Sequence, residues 1–73
     1  MKLKGKILQA DDRQVLFWWR GLARWLPRIE VTAETPKDGK PAALVRGEEA
    51  VILRVPAWLV RREFPEASRK KRG

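Results

Sequence analysis

Apolar residues come in short runs, and turn-forming clusters separate the runs at roughly 8- to 12-residue intervals, the rhythm of a small mainly-β domain. The clusters are Asp11-Asp12-Arg13, a Pro- and Gly-containing loop over 34–41, and Gly47-Glu48-Glu49. Ahead of the first cluster, Lys2, Lys4 and Lys6 alternate with Leu3 and Ile7 around Gly5, which predicts a strand over 3–10. Its charged row suggests a solvated sheet edge. Ala50-Val51-Ile52-Leu53-Arg54-Val55, bounded by Glu49 and Pro56, is the clearest strand in the chain. Ala42-Ala43-Leu44-Val45-Arg46 precedes it across the Gly47 turn, so a hairpin over 42–55 is expected.

Residues 12–26 support two readings. Val15, Trp18 or Trp19, Leu22 and Trp25 or Leu26 recur at helical spacings, behind an Asp cap and ahead of Pro27. Against that, Gln14-Val15-Leu16-Phe17-Trp18-Trp19 is rich in β-branched and aromatic residues, and Arg20-Gly21 interrupts the run where a hairpin would turn. After Pro56, the stretch to Phe64 reads as two turns of helix, with proline suited to the first position and Pro65 ending it. Residues 65–73 are polar and basic and are expected to form a disordered tail. The predicted architecture is therefore mainly β: a small antiparallel sheet or open barrel of four to five strands over 1–64 with a short C-terminal helix. The alternative is α+β with a helix at 12–26. In the first, Ile7, Val15, Phe17, Leu26, Leu44, Val51, Leu53, Val55, Trp58 and Leu59 would form most of the core.

Length sharpens this picture. A chain of 73 residues fits one domain and buries only about 60% of its unfolded surface, so the core is thin. With no Cys there is no disulfide or thiolate metal site to supplement it. Four Trp and two Phe can supply much of the apolar area. No stretch reaches the roughly 18 apolar residues of a membrane span, and the run after Lys6 is too short for a secretory leader. A cytoplasmic location in a bacterial host cell, without membrane association, is the expectation.

Seventeen Lys and Arg against nine Asp and Glu give a formal charge of +8, spread along the chain. Such a field favours polyanions or an acidic protein surface, although excess charge also keeps a Trp-rich small protein soluble.

Lys4-Gly5-Lys6-Ile7-Leu8-Gln9-Ala10, Gln14-Val15-Leu16 leading to Trp25-Leu26-Pro27, and Val55-Pro56-Ala57-Trp58-Leu59 follow one another in that order. The chain resembles a set of small phage and prophage proteins that carry a strand, a hairpin with a Trp-aliphatic-Pro element and a terminal Val-Pro-x-Trp-Leu segment. The resemblance covers residues 4–64, with Arg28-Ile29 after Pro27 and a long Pro-Gly loop before the final hairpin as departures. It implies a phage or mobile-element setting and a hairpin at 14–26, and no activity.

Among chemistry-bearing residues, Arg interleaved with Trp stands out. Trp18, Trp19, Arg20, Arg24, Arg28, Arg54, Arg61 and Arg62 are the candidate binding residues, because guanidinium groups pair with phosphates while indoles stack on bases. In a strand, Trp18 and Trp19 point to opposite faces, leaving one outside a single-faced core. The competing view is that the indoles are core and the Arg side chains stack on their edges. Arg69, Lys70, Lys71 and Arg72 form a nonspecific phosphate anchor or a solvated tail. Asp11-Asp12 and Glu48-Glu49 fall at turns, where such residues are ordinary, and the chain has no His, Cys or Tyr, so neither a metal site nor catalysis is expected. No cofactor is expected either. The leading expectation is a non-catalytic, phage- or mobile-element-encoded protein that binds nucleic acid through this Arg/Trp surface. The alternative is a protein-interaction module that inhibits or modulates a host defence, in the anti-CRISPR manner, or a nucleic-acid-processing complex, since Trp and Arg also dominate interface hot spots. A self-assembling phage component is a third.

Overall fold

A computed structural model describes residues 1–68. Its elements are β1 (Lys2–Ala10), β2 (Gln14–Trp19), β3 (Leu22–Pro27), a 3-10 turn (Arg28–Glu30), β4 (Thr32–Glu34), β5 (Pro41–Ala42), β6 (Val51–Arg54), α1 (Ala57–Glu63) and α2 (Pro65–Ser68). The six strands form one antiparallel sheet in the order β3-β2-β1-β6-β4-β5, which does not close on itself. The mainly-β expectation holds, with the very short β4 and β5 raising the strand number above four or five.

The alternation in β1 dictates its two faces: Leu3, Gly5 and Ile7 are buried while Lys2, Lys4 and Lys6 are exposed. The strand serves two partners in turn. Lys2 to Gly5 pair with β6 and Lys6 to Ala10 pair with β2, with a bulge between Ile7 and Gln9. Gly5 sits at the changeover, where a Cβ would collide with the Trp18 carbonyl oxygen and lie 2.8 Å from the Phe17 ring. Only a residue without a side chain lets β2 cross the inward face of β1 this closely. The Lys row therefore marks a central strand with a solvated outer face, and not the sheet edge that the charge pattern suggested.

Residues 12–26 are a hairpin, which removes the helical alternative. Arg20 (φ 55°) and Gly21 (φ 82°) make a two-residue turn with both residues left-handed, the geometry whose twist matches paired strands. Six opposed pairs run from Trp19–Leu22 to Gln14–Pro27. The helical spacing arose because both faces of the hairpin carry apolar residues: Val15, Phe17 and Leu26 are buried inside, while Leu16, Trp18 and Trp25 lie outside. The β1–β2 connection is held by Asp11, whose Oδ1 accepts from the backbone N–H groups of Arg13 and Gln14, both at 2.8 Å. Those N–H groups, Arg13 first and then Gln14, hold the Asp11 carboxyl below its ordinary value of 3.8, with the Arg28 guanidinium assisting.

The expected hairpin over 42–55 is not formed. Instead β4 turns through the 35–40 loop into β5, closed by the Thr35 N–H to the Lys40 carbonyl at 2.9 Å and by the Thr35 hydroxyl donating to Asp38. Both sides of β6 are already occupied, by β1 and β4, so residues 43–46 cannot pair with it as the expected hairpin requires. They cross as irregular chain, tied by the Gly47 N–H to the Ile7 carbonyl at 3.1 Å.

Behind the sheet lies the core, in which Leu3, Ile7, Val15, Phe17, Leu26, Val31, Ala33, Leu53 and Val55 meet Leu59, Val60 and Phe64 from the helical end. Leu44 and Val51 only flank it, and Trp58 is outside it, 47% exposed. Helical phase explains the exchange: burying Leu59 and Val60 turns Trp58 to the same exposed side as Arg61 and Arg62. Phe64 closes this end by meeting the Trp19 ring edge-on, 5.3 Å between centroids. Met1 and Val55 bond to each other through both backbone groups, at 2.7 and 2.8 Å. Pro65–Ser68 is helical, where the sequence had placed the start of a disordered tail.

Gly5→Ala places a methyl group against backbone that cannot yield, so we expect a loss at or beyond the upper end of the ~1–3 kcal/mol typical of overpacking, read by urea denaturation; an unchanged midpoint would show that β2 does not approach β1 this closely. Asp11→Asn removes a carboxylate whose folded pKa is depressed. Wild type should exceed the variant in stability at neutral pH, and the gap should close as pH falls below 3.8 through the lower folded value, measured as paired melting curves.

Candidate functional site

Opposed residues of an antiparallel pair share a face, so the register defines the outer surface of the sheet row by row. One row holds Lys2, Arg54 and Thr32; the next holds Lys4, Ile52 and Glu34. Beyond the changeover at Gly5 the rows are Lys6, Trp18 and Ala23, then Gln9, Leu16 and Trp25. Trp18 and Trp25 are thereby diagonal neighbours on adjacent strands, each 40% exposed. Leu8, left without a partner on β2 by the bulge, is also exposed. One face thus carries an apolar, aromatic half and a cationic half, and Lys6 stands at the junction.

The only carboxylate in these rows is Glu34, against Lys2, Lys4, Lys6 and Arg54. Its side chain is largely buried and its Oε2 receives no hydrogen bond; Lys2 Nζ, 3.6 Å away, compensates it by Coulomb attraction alone. Lys4 and Lys6 remain without an ion-pair partner among the described residues. Open clefts flank the Lys row on one side. Lys6, Leu8, Arg46 and Glu48 line one of them, and Lys4, Lys37, Asp38 and Glu49 line the other. The Asp38 carboxyl is held below its ordinary value, by the Thr35 hydroxyl first and then by the Lys40 N–H, so it is spent in its own turn.

The eight candidate residues of the sequence divide among several places. Trp18 and Arg54 lie on the outer face. Trp19 turns inward against Phe64, with the Arg20 guanidinium 5.2 Å from its ring centroid. Arg24 lies on the inner side opposite Phe17, where it donates to the Ala23 carbonyl at 3.0 Å and stands 3.8 Å from Glu66. Arg28 is a structural tie: its Nη1 donates to the Asp11 carbonyl at 3.0 Å and to the Leu44 carbonyl at 2.8 Å, joining the β1–β2 turn to the irregular 43–46 segment. Arg61 and Arg62 share the exposed side of α1 with Trp58; Arg62 lies 5.7 Å from that ring and 2.9 Å from Glu63. The cluster Arg69, Lys70, Lys71 and Arg72 lies outside the described residues.

Trp25 and the row Lys2, Lys4 and Lys6 belong to the outer face and were not among those eight. The signal for them was present. With Arg20-Gly21 as a two-residue turn, Trp25 must face the same way as Leu16 and Trp18, and the Lys alternation already places three cations on one side of β1. Among the described residues, no three His, Cys, Asp or Glu side chains converge on a point where a metal could sit. No helix there is long and apolar enough to cross a membrane. Comparison with family models, with curated proteins and with solved structures gave no match.

Because Arg28 satisfies two carbonyls that no other described side chain reaches, Arg28→Ala should cost about 1–3 kcal/mol in chemical denaturation. Arg54→Ala, on the open face, should stay within about 0.5 kcal/mol of the parent. Equal effects of the two would remove the distinction between a structural and a surface arginine.

Proposed function

We propose that this chain binds nucleic acid, without chemistry, on the outer face of its sheet. The observation that carries the reading is the union on one surface of Lys2, Lys4, Lys6 and Arg54 with the exposed rings of Trp18 and Trp25. Cations supply the sequence-independent attraction to phosphate, and indoles offer a flat apolar surface that ribose and base can cover. Burying large apolar rings inside the fold would normally be favoured by about 25 cal/mol per Å² of apolar surface, so two rings left outside, beside a row of Lys, suit a ligand that is both anionic and aromatic. A phage or mobile-element origin, which the resemblance implies, is a setting in which small proteins meet nucleic acid. The sheet face, and not the dispersed Arg set, is the surface this reading uses.

The test is a fluorescence titration with single- and double-stranded DNA and RNA at two salt concentrations. Binding should weaken steeply with salt, and Lys4→Ala with Lys6→Ala should flatten the log–log slope by about 1.4 on a single strand and about 1.8 on a duplex, roughly 0.7 or 0.9 for each phosphate no longer neutralised. Arg61→Ala with Arg62→Ala should leave that slope unchanged. No binding at low salt would end the proposal.

A further inference from the structure

Resting on that reading of the face, we propose that its ligand is single-stranded nucleic acid, with the phosphate backbone running along the Lys row of β1 and bases stacked on Trp18 and Trp25. An indole can stack only on a base whose π-face is free. In a duplex those faces are covered by neighbouring bases, so a double helix laid on this sheet reaches the lysines and leaves the rings without stacking partners.

The geometry of the rows supports one strand. Successive lysines on one side of a β-strand stand about 7 Å apart, close to one backbone repeat of an extended nucleic-acid strand. Lys6 is directly opposite Trp18, and Trp25 is one diagonal step further across the sheet. A backbone that follows Lys2, Lys4 and Lys6 therefore passes the edge of the aromatic half, where its bases can turn onto the rings. Arg46 shares the cleft beside Lys6 and Leu8 and adds a cation where the path leaves the Lys row; Glu48, on the same cleft, limits the path on that side. Few groups in this arrangement can read base edges: Leu16 and Ala23 are apolar, and besides Lys6 the aromatic rows offer only the Gln9 amide and the two indole N–H groups. The expected preference is for single strands of any sequence.

The test compares a labelled oligothymidylate with a duplex of equal length, at low and at roughly physiological salt. The single strand should bind at least about tenfold more tightly at the higher salt, and Trp18→Ala with Trp25→Ala should remove about tenfold or more of that affinity while leaving the weaker duplex binding in place. Trp18→Phe with Trp25→Phe keeps a ring face and the fold, and should bind close to the parent. Equal binding of single strand and duplex, indifferent to the Ala pair, would overturn the single-strand assignment and leave the nucleic-acid reading intact. Failure of both nucleic acids to bind at low salt would overturn both and give the face to a protein partner.

Discussion

At Gly5 the carbonyl oxygen of Trp18 lies where any other residue would begin its side chain, and the sheet is organised around that approach. It lets a single strand, β1, pair with β6 along its first half and with β2 along its second. The hairpin is thereby brought over the inward side of the strand, and Phe17, Val15 and Leu26 meet Leu3, Leu53 and Leu59 in one core. A thin domain of this size has few other ways to enclose apolar surface, since one flat sheet and a helix of seven residues would leave much of it wet. The same approach sets the position of Trp18 along β1, opposite Lys6, so the constraint that closes the core also joins the aromatic and cationic halves of the outer face.

Around that changeover, polar ties do local work. Asp11 organises the first turn through two backbone N–H groups, and Arg28 joins that turn to the 43–46 crossing by satisfying two carbonyls. Trp19 and Trp18 divide: the first spends its ring on Phe64 and the second leaves much of it open. A guanidinium or an indole in this chain is therefore read by what its strand turns it toward, and residue type alone separates neither pair.

Much of the architecture was legible in the chain because its signals are short-ranged. The alternation at Lys2 to Ile7, the left-handed turn that Arg20-Gly21 permits and the β-branched run at Val51 to Leu53 each act within a few residues. The 42–46 segment misled because it looks like a strand, while strand formation needs a free edge, and β6 had none to give. Trp58 misled for a related reason: a large aromatic is a natural core residue, but the phase of α1 was set by Leu59, Val60 and Phe64. The candidate site was legible in its composition, Trp beside cations, and not in its membership. Trp25 and the Lys row join Trp18 only through the pairing of three strands.

By itself the sequence determined the two faces of β1, the strand at Val51 to Leu53 and the excess of positive charge, and it favoured a mainly-β class with a hairpin at 14–26 without removing the helix there, because each of these signals depends on local backbone preference or on residue count. Tertiary structure decided which strands became neighbours, that the lysine strand is central and not an edge, and which arginines are consumed by carbonyls and carboxylates. Those outcomes depend on contacts between residues far apart in the chain, such as Gly5 with Trp18 and Arg28 with Leu44. Hydrophobic pattern orients a side chain inward or outward, but it carries no address for the partner.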